Sequence, residues 1–99
     1  MPSDAGTDER IERDAASHRF TLSSGGAEAV LDYREHGAGT LEYYHTFVPR
    51  PMRGRGVASR LVAYALRYAL EHRLAVIPTC PFVAAFIRRH PEYAALAHR

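Results

Sequence analysis

The chain contains no lysine, so all 13 of its long basic side chains are arginines. A nucleoside-triphosphate phosphate loop ends in Gly-Lys-Ser/Thr, and the absence of lysine excludes that reading at once. A single cysteine, Cys80, has no partner for an internal disulfide and supplies too few thiolates for a cysteine-based zinc site. No apolar run approaches the roughly 18 residues of a membrane span, and the N-terminus lacks the apolar core of a secretory signal. The expectation is a cytoplasmic protein with no membrane partner. The six histidines, His18, His36, His45, His72, His90 and His98, are scattered without paired ligand spacing, which argues against a metal centre.

What is present fits one soluble domain. At 99 residues, 46% hydrophobic and 24% charged, the chain can build a single core but not two. Asp4, Asp8, Glu9, Glu12 and Asp14 crowd into the first fourteen residues against only Arg10 and Arg13, which leaves the remainder basic and suited to an anionic ligand. Residues 1–17 are polar and rich in small side chains, so they are expected to form a flexible tail ahead of a domain spanning 18–99. Arginines outside the glycine-rich stretch around Gly54 and Gly56 are expected on solvated faces.

Hydrophobic periodicity predicts strands first and helices later. Phe20 and Leu22 alternate within His18 to Leu22, and Ser23 to Gly26 is a turn cluster. Ala29, Leu31 and Tyr33 then alternate against Glu28, Asp32 and Arg34, one face buried and the other wet. After a hairpin loop at His36 to Gly39, the stretch Thr40 to Val48 turns Leu41, Tyr43, His45 and Phe47 one way and Glu42, Tyr44, Thr46 and Val48 the other, as suits a central strand. Val57, Leu61, Val62, Ala65, Leu66 and Ala69 fall on one helical arc opposite Arg60, Arg67 and Glu71. Leu74 to Thr79 reads as a strand returning parallel to the one before that helix, completing a βαβ unit. Pro81 opens a further helix to about Arg89, which His90-Pro91 stops, and Glu92 to His98 forms a last helical or turn segment. The fold class is α/β with a mixed sheet.

The segment Thr46 to Ala58 joins a strand to a helix through a glycine-rich turn. Such a turn leaves unpaired backbone N–H groups converging on one point, a ready site for an anion. Gly54 and Gly56 permit close approach of the backbone, while Arg50, Arg53 and Arg55 add positive charge. The dinucleotide fingerprint fails because Ser59 stands where a third glycine is needed. Arg-x-x-Gly-x-Ala, at Arg53, Gly56 and Ala58, instead resembles the pyrophosphate-binding motif of the GNAT superfamily of acetyl-CoA-dependent N-acetyltransferases. The resemblance covers about Phe20 to Leu96. It is closest to the short YjdJ-type branch, through Val48-Pro49, Arg53-Gly54-Arg55-Gly56, Pro78-Thr79-Cys80-Pro81-Phe82 and Arg88-Arg89-His90-Pro91-Glu92-Tyr93.

That resemblance implies a minimal GNAT-like fold of three antiparallel strands, a βαβ cofactor-binding unit and a C-terminal helix. Only Ser23 to Gly26 separates the first two strands, so the early helices that wall the acceptor site in larger members have no room, and the acceptor stays open. The resemblance further implies that the backbone of Arg53, Gly54, Arg55, Gly56, Val57 and Ala58 holds the pyrophosphate of coenzyme A, while Thr46, Phe47 and Val48 pair with the pantetheine amides. Laid on the family's Asn-x-x-Ala-x-x-Phe-Tyr pattern, Cys80 takes the Asn place, Val83 the Ala place and Phe86 the Phe place. Ile87 falls where a proton-donating Tyr is customary. Tyr93 is either a substitute acid or a packed aromatic. Glu42 and His45 are the candidate bases for an amine, against a reading of both as cross-strand or solvated groups. Cys80 faces the N-terminus of the last helix and has three open roles: covalent nucleophile, proton donor to the leaving thiolate, or lining of the cofactor tunnel. The implied function is acetyl transfer from acetyl-CoA to an unidentified small-molecule or peptide amine. A non-catalytic module binding CoA or a nucleotide is the alternative. An RNA-binding domain is weaker, because the tyrosines are divided among faces and make no stacking platform.

Overall fold

In the computed structural model, which describes residues 9–97, the alternating segments form an antiparallel meander: β1 (Arg10–Asp14), β2 (Arg19–Ser24), β3 (Ala27–His36) and β4 (Thr40–Phe47). A short β5 (Ala75–Ile77) adds parallel to β4, and the sheet order is β1-β2-β3-β4-β5. The antiparallel run therefore has four strands where three were expected. The extra one, β1, lies within the stretch read as a tail and pairs from Arg10↔Ser23 to Asp14↔Arg19. Its composition hid it: Arg-Ile-Glu-Arg-Asp carries one apolar residue, and charged side chains on an edge strand are a usual way to keep such an edge from pairing further. The earlier part of the expected tail, residues 1–8, lies outside the described residues.

Phe20 and Leu22 of β2, Ala29, Leu31 and Tyr33 of β3, and Leu41 and Tyr43 of β4 share one buried face. On it packs α1 (Val57–Glu71), through the arc Val57, Leu61, Val62, Ala65, Leu66 and Ala69. Leu61 and Leu66 are wholly buried, and each contributes on the order of 1.5–3 kcal/mol by leaving water. Tyr43 is as deeply buried, and its hydroxyl donates to the Ala65 carbonyl at 2.6 Å. Burial pushes the phenol's pKa far above its ordinary value, since a phenolate there would be unsolvated.

Pro81 opens α2 (Pro81–Arg89), whose Val83, Phe86 and Ile87 complete the core. The last segment, expected as helix or turn, is a 3-10 helix over Pro91–Leu96 that buries Tyr93 and Leu96. Ala97 then bridges to Val76 in parallel. Among the described residues no helix is long and apolar enough to cross a membrane.

Two irregularities in β4 shape the outer face and the edge of the sheet. Tyr33 pairs with Tyr43 but Asp32 pairs with His45, so Tyr44 is an inserted residue, a β-bulge. The alternation expected through Val48 is thereby broken. Leu41 and Tyr43 face the core, but His45 and Phe47 pair with Asp32 and Val30 on the opposite face, and Thr46 pairs with Leu31. The bulge reverses the side-chain phase because the strand period is two. Pairing of β4 with β5 runs only from Thr40↔Ala75 to Glu42↔Ile77. Beyond it the strands part.

Candidate active site

The loop after β4 is built by its prolines and glycines. Pro49 and Pro51 favour a single 3-10 turn over Arg50–Met52, closed by the Met52 N–H to Pro49 O (2.9 Å) and the Arg53 N–H to Arg50 O (3.1 Å). The Arg53 side chain folds back, its Nε donating to Val48 O at 2.9 Å, so this arginine braces the loop it belongs to. Gly54 and Gly56 then take φ of 81° and 71°, the left-handed region that side-chain-bearing residues avoid. Gly56 is the residue before α1, and no side chain caps that helix. Consequently the N–H groups of residues 54–59 have no acceptor among the described residues. With the positive end of the α1 dipole behind them, they form a cradle for a phosphate-like anion.

Arg60, one turn into α1, locks this geometry from the other side. Its Nη1 donates to Arg55 O at 2.8 Å, and its Nε and Nη2 pair with the Glu9 carboxylate. Glu9, Arg55 and Arg60 also line a cleft of about 420 Å³ between the loop and the β2–β3 turn. The sequence reading placed Arg60 only on the solvated arc. Nothing in a one-dimensional pattern ties it to a residue 51 positions away.

From the cradle the edge of β4 runs back without a strand partner to the end of its short pairing with β5, and this unpaired edge is the candidate slot. On the β5 side the Cys80 N–H donates to Tyr43 O at 2.9 Å, the last backbone link between the two edges. Past it, Thr46 Oγ1 and Cys80 Sγ meet at 3.5 Å across the gap. Cys80 is 6% exposed and occupies the position just before α2. An extended, amide-bearing chain can pair with the open edge of β4 while its phosphates rest in the cradle. Coenzyme A has that shape, and the residues present fit it.

The bulge puts His45 on the face away from the helices, where Glu42 already lies. Glu42 is 14% exposed and fully engaged: Thr79 Oγ1 donates to it at 2.6 Å, His36 Nε2 donates at 2.9 Å, and Arg34 Nη1 lies at 3.5 Å. The Thr79 bond first, then the His36 bond, hold its pKa below the usual carboxylate value. His45 is different. Its Nδ1 lies 3.1 Å from Asp32 Oδ2, and Arg19 Nε donates to Asp32 Oδ1 at 2.9 Å. The sequence pattern places Asp32 only on the wet face of its strand and says nothing of Arg19. The signal missing was the bulge that brings His45 opposite Asp32.

Of the other expected site residues, Phe47 is 47% exposed and turned to the outer face, so only its backbone borders the slot. Val48 is half-buried against the core and gives its carbonyl to Arg53. Val57 is buried as the first residue of α1, with Ala58 next to it. Phe86 is buried and stacks on His90 with ring centroids 3.9 Å apart, and Tyr93 packs 6.2 Å from Phe86 within the same cluster. Their rings are core.

A mixed five-stranded sheet with a crossover helix between its two parallel strands is the architecture of a GNAT-like acetyltransferase fold. The chain belongs to the GCN5-related N-acetyl-transferase family, whose profile matches residues 19–96. It is 33% identical over 94 residues to protein NATD1 of Danio rerio, covering 91% of this chain and 86% of that one. It is likewise 33% identical over 84 residues to protein NATD1 of Homo sapiens, covering 83% and 74%. The solution structure of a GCN5-like protein from Staphylococcus aureus superposes with a TM-score of 0.71 at 21% identity, over 93% of this chain and 90% of that one, a likeness of fold.

Proposed function

We propose that the protein is an acetyl-CoA-dependent N-acetyltransferase of the short YjdJ-type branch, acting on an amine. The observation that carries the reading is the glycine loop at the head of α1, which follows directly on the part of β4 that has no β5 partner. Bound there, acetyl-CoA supplies an activated acyl thioester. The chain holds the pyrophosphate on its amides, pairs the pantetheine with the edge of β4, and keeps the sulfur end among half-buried and buried groups where water is scarce.

Thr46 and Cys80 are the polar side chains that meet across the slot, and their contact leaves either able to donate. Either can return a proton to the departing thiolate where Ile87 replaces the customary tyrosine. A non-catalytic CoA-binding module is the second reading, favoured by that replacement and by the enclosure of Tyr93 in the core. Calorimetric titration with acetyl-CoA tests the cofactor. Thiol release across a panel of peptide α-amines, alkylamines, amino sugars and aromatic amines separates enzyme from module. Binding without release from any amine supports the module, and no binding refutes both.

A further inference from the structure

We infer that His45 is the general base of the reaction, and that Asp32 and Arg19 are positioning residues that fix its tautomer and orientation on the open face of the sheet. The inference rests on the acetyltransferase reading and names the group that the reading leaves unassigned.

The tautomer follows from the geometry. A carboxylate only accepts hydrogen bonds, so at 3.1 Å from Asp32 Oδ2 the His45 Nδ1 carries the hydrogen and Nε2 keeps its lone pair. Asp32 is itself held by Arg19 through its other oxygen, so the carboxylate cannot turn away freely. Asp32 is 14% exposed while the His45 side chain is 55% exposed, so the anchor is fixed and the working nitrogen meets solvent. This is the arrangement by which a carboxylate orients an imidazole for proton abstraction. Glu42 is the poorer base, because each of its oxygens already accepts a hydrogen bond, from Thr79 and from His36, and these bonds stabilise the ionised carboxylate.

The bulge at Tyr44 makes the arrangement useful. Thr46, on the core-side register, meets Cys80 at the slot. His45, its immediate neighbour, projects to the opposite side of the same single sheet. Where the pairing of β4 with β5 ends, an acceptor amine entering from the open face beside His45 can approach a thioester carbonyl held at the slot. The acceptor ammonium gives one proton to His45 Nε2. Its freed lone pair forms the C–N bond to the carbonyl carbon, the C–S bond breaks with its electron pair on sulfur, and the second proton lost by nitrogen ends on that sulfur as the CoA thiol. The proton on His45 passes to water. No oxidant or other co-reactant is required.

The charged groups sharing this face among the described residues are Arg10, Glu12 and Asp14 from β1, Arg19 from β2, Glu28, Asp32 and Arg34 from β3, and Glu42 from β4, with His36 beside Glu42 and Arg34 stacked over the Tyr44 ring at 3.8 Å. The helices pack against the other face.

His45→Gln tests the base and Asp32→Asn the positioning. With the amine that gives the fastest thiol release, His45→Gln is expected to lower kcat about 10²- to 10⁴-fold, the usual contribution of a positioned base. Its CoA affinity in calorimetry stays within about twofold of wild type, because its side chain lies on the face opposite Thr46 and outside the anion cradle. Asp32→Asn is expected to lower kcat about 10- to 100-fold, as for other carboxylates behind a working imidazole. A readout independent of any acceptor is the ¹H–¹⁵N spectrum of the ring-labelled full chain, with the His45 signals assigned by their loss in His45→Gln. Wild type should show the Nδ1–H tautomer, and Asp32→Asn should lose its predominance. Full turnover in His45→Gln, or an Nε2–H tautomer in wild type, overturns the inference and leaves the acetyltransferase reading standing. Thiol release from no amine overturns both.

Discussion

Gly56 offers the sharpest test of the cofactor site, because backbone strain and charge can be varied there separately. Its φ of 71° lies in the left-handed region, and an added Cβ would stand 3.4 Å from Arg60 Nη1, the end of a flexible side chain. Gly56→Ala is therefore expected to cost about 1–2 kcal/mol, almost all from the dihedral. For a domain of this size that lowers Tm by roughly 4–8 °C per kcal/mol. Gly56→Asn should lose less, since asparagine enters this region with local hydrogen bonding. Gly56→Glu adds a carboxylate at the mouth of the cradle. Two like charges about 4 Å apart repel by about 1 kcal/mol in water and about 4 kcal/mol at the effective dielectric of a protein surface. CoA affinity should fall roughly fivefold to a thousandfold for each pyrophosphate charge so placed. The loss should shrink at high salt, where the screening length drops to about 3 Å at 1 M. Thermal unfolding and calorimetric titration of the three variants at low and high salt read both effects. A folded Gly56→Glu that binds CoA as wild type does would refute the assignment of the cradle.

Arg53→Ala removes the Nε bond to Val48 O and one exposed positive charge, and should weaken CoA binding by about 1 kcal/mol in the same titration, far less than Gly56→Glu. Tyr43→Phe deletes the buried bond to the Ala65 carbonyl and should cost about 1–2 kcal/mol in denaturant unfolding, with CoA binding kept. Glu42 has a folded-state pKa lowered beneath its ordinary value of 4.5, so its stabilisation is full above that value and is lost as pH falls through the folded value. The denaturation midpoints of wild type and Glu42→Gln should therefore differ at pH 7 and converge in that acid range. A gap that persists through it would show that the ionised carboxylate is not the stabilising species.

Much of the fold was legible because the core residues keep strict periods. Phe20, Leu22, Ala29, Leu31 and Tyr33 alternate, and Val57 to Ala69 repeats at helical spacing, so the sheet face and α1 could be drawn from one dimension. The glycine loop was equally readable, since Gly54 and Gly56 sit where only a left-handed backbone makes the turn. What escaped was set by tertiary context. β1 has an edge strand's charged composition and is held by pairing with β2, which leaves no hydrophobic pattern of its own to read. The bulge at Tyr44 has no composition signal, and missing it turned His45 and Phe47 to the wrong side. The bond from Thr79 to Glu42 joins residues 37 positions apart through the β4–β5 pairing, which separates a tethered carboxylate from a free one only in three dimensions.

The plain left-to-right order of the strands has a kinetic consequence. Each of β1 to β4 pairs with its chain neighbour across a short turn, contacts that close cheaply and early. β5 must instead wait for the whole of α1 to cross before it can dock on β4. Thr46 belongs to the early part and Cys80 to the late one, so the slot comes into being only with the last docking event. A ligand that spans both edges is then absent from most of the folding path and acts after the barrier. It should leave the refolding rate nearly unchanged and slow unfolding, which makes the cofactor a brake on the departure of β5 and α2.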